Sequence, residues 1–348
     1  MFNKNYKIGI LGMAKSGIAV AYKAKKMGLE PFVSEFKKEN QINYSQEIRK
    51  NFKCEFGGHS EKLLDCDLLI VSPGIPLDIP ILKKAKMKNL KFISEIEFGY
   101  KIKYPASKII AITGSNGKST TVSLIHHILK TAGYKSILAG NIGSAFTSFP
   151  IEKPGIEFIV LELSSFQLEL IEFFKADVAA ILNITPDHLN RYNNFEEYTL
   201  AKFNIFNNQT ENDLAIFNLD DNICLKYQNL VKSNKKFFSL KNKADIFFNG
   251  KNIVHNSRDI SVQNLLIKGP HNIANIMASI LALSPFHLKI EIINKALRTF
   301  SPLPHRLEFV AEVNGIKFIN DSKATNTESV KYALQSFSKP IRIIMGGA

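Results

Sequence analysis

The stretch KIIAITGSNGKSTT at residues 108–121 constrains this chain more than any other. It begins with a β-branched apolar run, continues into a glycine-rich turn at 114–120, and passes at once into the amphipathic segment VSLIHHILKTAGY. Apolar β-branched residues favour a buried strand, and an amphipathic segment of this length favours a helix. A strand that leads through a glycine-rich turn into a helix N-terminus is an arrangement that binds phosphate groups.

The residues of the turn predict a binding site for a nucleoside triphosphate. Gly114 and Gly117 allow successive backbone N–H groups to converge on a phosphate, and the helix dipole adds positive charge there. Lys118 supplies a mobile cation for the outer phosphates, and Ser119 supplies a hydroxyl for Mg²⁺. Ile112 stands where the strict P-loop pattern has a glycine, which indicates a shorter variant of the loop. The alternative is a chance Gly/Ser turn, which would lack the strand before it and the helix after it.

Length and composition indicate a globular protein of several domains. The 348 residues suggest two or three domains, and no apolar run reaches the roughly 20 residues of a membrane span. The N-terminus MFNKNYKIGILGM enters a strand without the features of a signal peptide, so a cytoplasmic location is expected. The cysteines Cys54, Cys66 and Cys224 are widely spaced and odd in number, which predicts neither a disulfide framework nor a metal cage.

The chain is strongly basic, with 45 Lys and Arg against 31 Asp and Glu and a net charge of +14. A charge of this size attracts polyanions. The sequence has neither zinc-finger spacing nor an RNA-recognition signature, however, and no nucleic-acid partner is expected. The lysines are scattered through segments such as LKKAKMKN and KSNKKFFSLKNK, which favours a solvated surface that also attracts small anionic substrates.

Residues 1–95 predict a parallel α/β domain, because strands and helices alternate with short turns. The loop Gly12–Gly17 has Ala14 in place of the middle glycine of a dinucleotide fingerprint. Glu35 ends the second strand, where a ribose-binding acid would stand. We therefore expect a Rossmann-like domain that holds a nucleotide diphosphate other than NAD.

Two further blocks follow the first domain. Residues 96–303 contain the phosphate loop and predict a central P-loop ATPase domain with a mostly parallel sheet. The proline-marked segment SPLPHRLEFV leads into residues 304–348, which start a Rossmann-like C-terminal domain and end with the apolar run IRIIM, a predicted buried strand. Because such domains usually run to roughly 100–150 residues, we expect the third domain to be incomplete.

Several polar residues stand at predicted strand ends or helix starts of the central block, where open α/β sheets bind ligands. Glu162 interrupts the apolar strand FIVLELSS, and burying its carboxylate is costly unless it meets a cation. A strand-edge glutamate is the alternative interpretation. A locally bonded loop imidazole is the alternative for His188, and a turn former is the alternative for Asn141. Lys202 is also explained as an exposed helix residue, and Asn272 as a helix cap.

In chain order, TGSNGKSTT, GNIG, LELSSFQLE, NITPDHLNRY, the Lys202 segment EEYTLAKFNIF, GPHNIANIMAS, LPHR and NDSKATN resemble motifs of the Mur ligases, most closely of the branch that adds D-glutamate. The resemblance covers essentially the whole chain. SPGIP at 72–76 and NDSKATN at 320–326 are its more specific markers, whereas the phosphate loop is shared with the folylpolyglutamate ligases. The resemblance implies an ATP-dependent amide ligase of peptidoglycan precursor synthesis.

The same resemblance implies a reaction and its catalytic residues. ATP phosphorylates the alanine carboxylate of UDP-N-acetylmuramoyl-L-alanine, and the amine of D-glutamate then attacks the acyl phosphate. Lys118 is implied to hold the outer phosphates, and Ser119 and Glu162 to bind a first Mg²⁺. His188 and Lys202 are implied to bind a second Mg²⁺, with Lys202 converted by CO₂ into a carbamate. A carbamate provides oxygen ligands for Mg²⁺, which an ammonium group cannot do.

Binding residues are implied in the same way. ATP is assigned to Gly114, Ser115, Asn116, Gly117, Lys118, Ser119, Thr120, His271, Asn272, Asn275, Arg306 and Asp321. The UDP-muramoyl substrate is assigned to Ser16, Glu35, Lys37, Ser72, Pro73, Gly74, Asn141, Ser164 and Gln167, and D-glutamate to Lys323 and Thr325. Glu35-Phe36-Lys37 stands where the family often has Asp-Thr-Arg, and a lysine lacks the bidentate grip of an arginine.

Other interpretations of the sequence stay open. They are a sister ligase with another acceptor, a folylpolyglutamate-type ligase, and a noncatalytic nucleotide-binding protein that needs neither His188 nor Lys202. NDSKATN and LELSSFQLE argue against the two rival ligases. We further expect a monomer without membrane partners. With its third domain incomplete, the chain alone is expected to bind the uridine nucleotide substrate but to be inactive.

Overall fold

The computed structural model describes residues 2–187, 191–324, 327–337 and 340–346. The helices in chain order are α1 (Lys15–Lys26), α2 (Ser45–Asn51), α3 (Pro80–Met87), α4 (Glu95–Ile102), α5 (Lys118–Thr131), α6 (Ser165–Leu168), α7 (Phe195–Phe203), α8 (Asn222–Tyr227), α9 (Pro270–Leu283), α10 (Ile290–Thr299) and α11 (Thr327–Gln335). The strands are β1 (Lys7–Leu11), β2 (Glu30–Glu35), β3 (Lys53–Phe56), β4 (Leu68–Val71), β5 (Phe92–Ser94), β6 (Lys108–Thr113), β7 (Ser136–Gly140), β8 (Phe158–Glu162), β9 (Val178–Ile181), β10 (Leu214–Asn218), β11 (Asn234–Ser239), β12 (Ile246–Phe248), β13 (Asn252–His255), β14 (Arg258–Ser261), β15 (Glu308–Val313) and β16 (Ile316–Asn320).

The chain divides into two compact units. Unit 1 consists of Met1–Thr113, Lys135–Asp177 and His188–Gln209, and unit 2 of Gly114–Tyr134, Val178–Asp187 and Thr210–Ala348. Both units combine helices with largely parallel sheets, so the predicted α/β class is confirmed. Among the described residues, no helix is both long enough and apolar enough to cross a bilayer.

Unit 1 contains a five-stranded parallel sheet in the order β3-β2-β1-β4-β5. β1 lies at its centre, where Ile10 pairs with Val33 of β2 and with Ile70 of β4. Ile8 and Leu11 of the same strand are fully buried in the core. The strand order reverses between β1 and β4, which is where open α/β sheets form a ligand crevice at their carboxyl ends. The Rossmann-like prediction for this part of the chain is confirmed.

Three more strands of unit 1 are parallel, in the order β6-β8-β7. All five residues of β8 are buried. Its last residue, Glu162, pairs with Ile112 of β6 on one side and with Gly140 of β7 on the other. The register therefore places Glu162 at the carboxyl end of three neighbouring strands.

Glu95, the first residue of α4, is a buried carboxylic acid in unit 1. Its Oε1 accepts a hydrogen bond from the N–H of Thr147 at 2.6 Å. Burial raises the pKa of Glu95 to about 7, although hydrogen bonds from Thr147 and Phe146 oppose the shift. Because the pKa is higher in the folded than in the unfolded protein, this group stabilises the fold most below its ordinary value of 4.5. That contribution is lost as the pH rises through 7.

Glu95→Gln is therefore expected to gain stability relative to the parent protein as the pH rises. The amide can still accept the hydrogen bond from Thr147, but it carries no charge to bury at high pH. Between pH 5 and pH 8 the difference in free energy of unfolding should shift by about 3 kcal/mol in favour of the variant. Urea unfolding of both proteins at the two pH values measures it. An identical difference at both values would contradict the burial of a titrating carboxyl here.

Six strands of unit 2 lie side by side in the order β9-β10-β11-β12-β13-β14, in which the pairs β12–β13 and β13–β14 are antiparallel and the other pairs are parallel. α9 begins at Pro270, as expected for a Gly-Pro entry into a helix. It packs against α5, since Thr121 donates to Asn275 Oδ1 at 3.3 Å and Ser279 donates to the Thr121 carbonyl at 3.3 Å. These bonds hold the helix after the phosphate loop in place.

The C-terminal part of unit 2 forms the hairpin β15–β16 and then α11. Asn314 and Gly315 form its two-residue turn with φ values of 50° and 77°, as a tight Asn-Gly hairpin requires.

The prediction of a strand at IRIIM is wrong. Residues 341–345 form no strand, and Ile344 is 99% exposed. A strand needs a hydrogen-bonded neighbour, and none of the described segments pairs with residues 341–345.

Candidate phosphate-loop and carboxylate sites

The glycine-rich turn joins the end of β6 to the start of α5, as the sequence predicts. Gly117 is the N-cap of α5 with a φ of +86°, and a Cβ there would collide with Asn275 Oδ1. Only glycine combines this backbone conformation with so close an approach. The first turn of α5 therefore presents its backbone N–H groups and the positive end of its dipole.

Lys118 folds back over the turn. Its Nζ donates hydrogen bonds to the carbonyls of Gly114 and Ser115, each at 2.8 Å. The turn is braced from the segment after β9, where Asn183 Oδ1 accepts the Asn116 N–H at 2.8 Å. Sequence analysis did not single out Asn183, although a polar residue two positions after a buried strand end is a detectable signal.

Arg306 and His271 lie beside the phosphate loop in unit 2. The Arg306 guanidinium donates to Ser119 Oγ at 3.4 Å, and its buried Nε has no hydrogen-bond partner among the described residues. Burial lowers the pKa of His271, and the positive charge of Arg306 adds to the shift. Burial raises the pKa of Asp321, although the Leu307 N–H and Arg306 oppose the shift. The predicted ATP-binding residues from three distant segments are thus brought together in one unit.

The two predicted asparagines of α9 are part of the same assembly. Asn275 is buried and donates from Nδ2 to Asn272 Oδ1 at 3.3 Å. Asn272 donates in turn to the Lys268 carbonyl at 2.8 Å. The alternative of a helix cap for Asn272 is wrong in detail, because Gly269 is the N-cap of α9 and Asn272 lies three residues further along the chain.

Glu162 forms the second site, in unit 1. Its side chain is only 3% exposed. Oε1 accepts a hydrogen bond from Asn141 Nδ2 at 2.9 Å, and Oε2 has no hydrogen-bond partner in the described part of the chain. A buried carboxylate oxygen without a donor is costly unless a cation binds it. The predicted pair Asn141 and Glu162 is therefore brought together, and Glu162 keeps one buried oxygen without a hydrogen-bond donor among the described residues.

The backbone holds this pair through Gly140. The Asn141 N–H donates to the Glu162 carbonyl at 2.8 Å. Gly140 has a φ of +101°, and a Cβ there would collide with the same carbonyl. Gly143 also has a positive φ of +67°, but a Cβ there would meet nothing within 4 Å.

Gly140→Ala is expected to lower stability and activity more than Gly143→Ala. Both substitutions strain a positive-φ backbone, at a cost of about 1–2 kcal/mol. Only the first also pushes against the strand end that carries Glu162. Thermal unfolding and phosphate release measure the two effects. Equal losses in the two variants would mean that the contact with Glu162 has no consequence.

Ser164 and Gln167 cap the short helix α6. Ser164 Oγ accepts the Gln167 N–H at 3.3 Å, and Gln167 Oε1 accepts the Ser164 N–H at 3.0 Å. This reciprocal pair is a capping box. Their predicted contact with the muramoyl substrate stays a prediction.

Lys202 is buried on α7, with 2% of its surface exposed. Its Nζ lies 4.6 Å from the centre of the Tyr198 ring. The interpretation of Lys202 as an ordinary exposed lysine is wrong, since a helix-surface lysine keeps its ammonium in water. Burial of a lysine requires a compensating interaction, which makes this residue a candidate for chemistry.

The predicted uridine-side residues stand at the carboxyl edge of the five-stranded sheet. Glu35 Oε2 accepts the Met13 N–H at 2.7 Å, and Oε1 accepts the Lys37 N–H at 3.0 Å. Glu35 thus braces the Gly12–Gly17 loop, at whose end Ser16 lies in the first turn of α1. Ser72 begins the turn 72–75, in which the Ile75 N–H donates to the Ser72 carbonyl at 3.0 Å. Pro73 and Gly74 complete that turn.

A cavity of about 830 Å³ lies in unit 1 between α1 and residues 143–150. Lys15, Tyr22, Lys26 and Tyr44 line it. None of the residues predicted from the sequence to bind a ligand lines this cavity, although Lys15 is the neighbour of Ser16.

His188 and Thr325 lie outside the described residues, and Lys323 is exposed after β16.

The fold and the phosphate loop define a P-loop nucleotide-binding α/β protein. The chain matches the family model for the Mur ligase middle domain over residues 112–283, and the model for the MurD N-terminal domain over residues 7–79. The chain belongs to the Mur ligase family.

Individual relatives agree with this family, and a solved structure agrees with its fold. A UDP-N-acetylmuramoylalanine--D-glutamate ligase from Cytophaga hutchinsonii is 41% identical over 98% of this chain and 78% of its own length. An enzyme of the same name from Koribacter versatilis is 41% identical over 98% of this chain and 77% of its own length. The crystal structure of the UDP-N-acetylmuramate-alanine ligase MurC from Thermotoga maritima has a TM-score of 0.61 at 22% identity, covering 95% of this chain and 77% of that one. At that identity the structural match shows the fold alone.

Proposed function

We propose that this protein is the ligase that adds D-glutamate to UDP-N-acetylmuramoyl-L-alanine at the expense of ATP. The observation that carries the proposal is the 41% identity to a D-glutamate ligase over 98% of the chain. The phosphate loop on α5 supports the use of ATP. The buried carboxylate of Glu162 supports a metal-dependent reaction.

The proposed reaction has two steps, a phosphoryl transfer and an acyl transfer. A carboxylate oxygen of the alanine bonds to the γ-phosphorus of ATP while the bond from that phosphorus to ADP breaks. The amine of D-glutamate then attacks the acyl carbon, phosphate leaves, and the amine loses a proton. Bringing a carboxylate against a triphosphate sets anions on anions, so the site must supply positive charge that acts most strongly in the transition state.

Lys118 and Arg306 supply this positive charge from the protein. The Lys118 ammonium group donates hydrogen bonds to the Gly114 and Ser115 carbonyls, and these bonds keep it next to the phosphate loop. Arg306 is within hydrogen-bond reach of Ser119, the residue that follows Lys118. Adenine-side contacts are proposed for His271, Asn272 and Asn275, and a contact with ATP for Asp321.

Residues for two magnesium ions are proposed from the donor types. Ser119 and Glu162 would hold the first ion, and the Glu162 oxygen without a donor is the observation that supports it. His188 and Lys202, as a carbamate, would hold the second. Magnesium, when bound, neutralises negative charge on the phosphates. The burial of Lys202 supports a role other than that of a solvent-exposed helix lysine, and the carbamate is the role that the family resemblance implies.

The remaining assignments follow the same family pattern. We propose residues 1–95 as the UDP-substrate domain, 96–303 as the ATP-binding domain and 304–348 as part of the amino-acid-binding domain. We also propose that the protein acts in the cytoplasm as a monomer. The UDP-muramoyl substrate would contact Ser16, Glu35, Lys37, Ser72, Pro73, Gly74, Asn141, Ser164 and Gln167, and D-glutamate would contact Lys323 and Thr325.

Phosphate release by the full-length protein tests the proposal. With ATP, Mg²⁺ and UDP-N-acetylmuramoyl-L-alanine present, D-glutamate should stimulate release, whereas L-glutamate, L-alanine and L-lysine should not. Stimulation by another amino acid would indicate a sister ligase. ATP hydrolysis that ignores every acceptor would indicate a nucleotide-binding protein without ligase activity.

A further inference from the structure

Glu169 lies directly after α6, and its carboxylate accepts hydrogen bonds from the successive residues Arg191 and Tyr192. Its Oε2 accepts a hydrogen bond from the Arg191 guanidinium at 2.8 Å, and its Oε1 accepts one from the Tyr192 hydroxyl at 2.6 Å. The Arg191 and Glu169 side chains are only 17% and 13% exposed. The net stability gained from such a partly buried pair is small, because desolvation offsets much of the attraction. The segments that the pair connects are therefore its more informative feature.

Arg191 connects this carboxylate to the turn after β4. The guanidinium donates a second hydrogen bond to the Ile75 carbonyl at 3.2 Å. It also lies over the ring of Phe166 in α6, at 4.5 Å from the ring centre. Arg191 thus links the turn that begins at Ser72 with the helix that Ser164 caps, and both are proposed to contact the same substrate.

Tyr192 continues the connection towards Lys202. Its ring stacks on Phe166, with centres 6.0 Å apart at 23°, and meets the edge of Tyr198 at 5.4 Å. Tyr198 is the ring beside which Lys202 Nζ lies. Burial, and the hydrogen bond to Glu169, raise the pKa of Tyr192. The raised pKa favours the protonated hydroxyl, which donates the hydrogen bond to Glu169 Oε1.

We propose that the Glu169–Arg191–Tyr192 cluster is a positioning device for the UDP-muramoyl substrate. It fixes the turn after β4, helix α6 and helix α7 relative to one another within unit 1. The substrate then binds to segments that are already aligned, so none of the binding free energy is used to align them. These residues act through the segments they hold, and the inference rests on the proposed function.

Calorimetry of UDP-N-acetylmuramoyl-L-alanine binding to the protein tests this role. Arg191→Lys keeps the charge but loses the fork that reaches both Glu169 and Ile75, and Glu169→Gln removes the charge. If the aligned state falls to a tenth or less of the molecules, the apparent Kd rises about tenfold or more, with the stoichiometry unchanged. Tyr192→Phe deletes one hydroxyl and should raise the Kd by a smaller factor. ATP, which is assigned to residues of unit 2, should bind each variant as it binds the parent.

A matched control separates positioning from folding. Glu61→Gln makes the same substitution in an exposed ion pair, in which Lys84 and Glu61 are 49% and 70% exposed. This variant should bind the substrate with the parental Kd. If the cluster were only structural, its variants would show a lower unfolding temperature and a lower stoichiometry but an unchanged Kd, and the proposal would be overturned. A parent protein that binds no UDP-muramoyl substrate would instead refute the proposed function, and the positioning role with it.

Discussion

Lys202→Ala should lower the turnover of the ligase by two to three decades. The proposed carbamate contributes ligand oxygens at the point where charge moves, and losing one such electrostatic contact typically costs about 3–4 kcal/mol. Lys202→Arg should be as inactive, because a guanidinium does not form a carbamate. The measurement is the D-glutamate-dependent release of phosphate at saturating substrate.

Small carboxylates give this prediction a specific readout. Formate or acetate can occupy the space left by the side chain and offer oxygen ligands in its place. Either one should restore part of the activity of Lys202→Ala and none of the activity of Lys202→Arg. Lys86→Ala, at an exposed lysine of α3, is the control and should remain fully active. Activity that no carboxylate restores would argue against a carbamate and for a purely packing role.

Lys118→Ala should lower kcat/KM for ATP by about two to three decades. The substitution removes the cation proposed to meet the outer phosphates. It also removes the two hydrogen bonds that Lys118 donates to the carbonyls of Gly114 and Ser115 in the loop. The effect should therefore appear both in the Kd for ATP and in turnover.

Lys130→Ala is the matched control, because Lys130 is an exposed lysine in the last turn of the same helix. It removes the same charge from α5 at a distance from the phosphate loop, and should leave ATP binding unchanged. Calorimetry with ATP and the phosphate-release assay measure both variants. Parental ATP affinity in Lys118→Ala would exclude the proposed contact with the phosphates.

Local features of the sequence were sufficient to predict the phosphate loop and to mark Glu162 as unusual. The phosphate loop is a contiguous stretch whose strand, glycines and helix signal each follow from the residues themselves. Glu162 was recognisable because a carboxylate inside an apolar strand is exceptional. The parallel sheet of unit 1 followed from the alternation of strands and helices, since parallel strands need crossover connections.

Contacts between distant segments were not predictable in the same way. IRIIM has the composition of a buried strand, but composition does not specify whether a neighbouring strand is present. Glu35 was recognised as a strand-end acid, yet only the structure shows both of its oxygens bound by backbone N–H groups. Asn183 and Arg191 lie in the motif NITPDHLNRY, but their partners are far away in the chain, and the motif does not identify those partners.

The sequence by itself determined where this protein has strands, helices and a phosphate loop, because backbone preferences and apolar periodicity act over a few neighbouring residues. Only the tertiary structure decided that Lys202 is buried, that one Glu162 oxygen has no donor among the described residues, and that Arg191 connects the turn after β4 with helix α6. Burial and hydrogen-bond partners are set by which surfaces meet when the chain packs. That outcome depends on many residues at once, and no short stretch of sequence contains it.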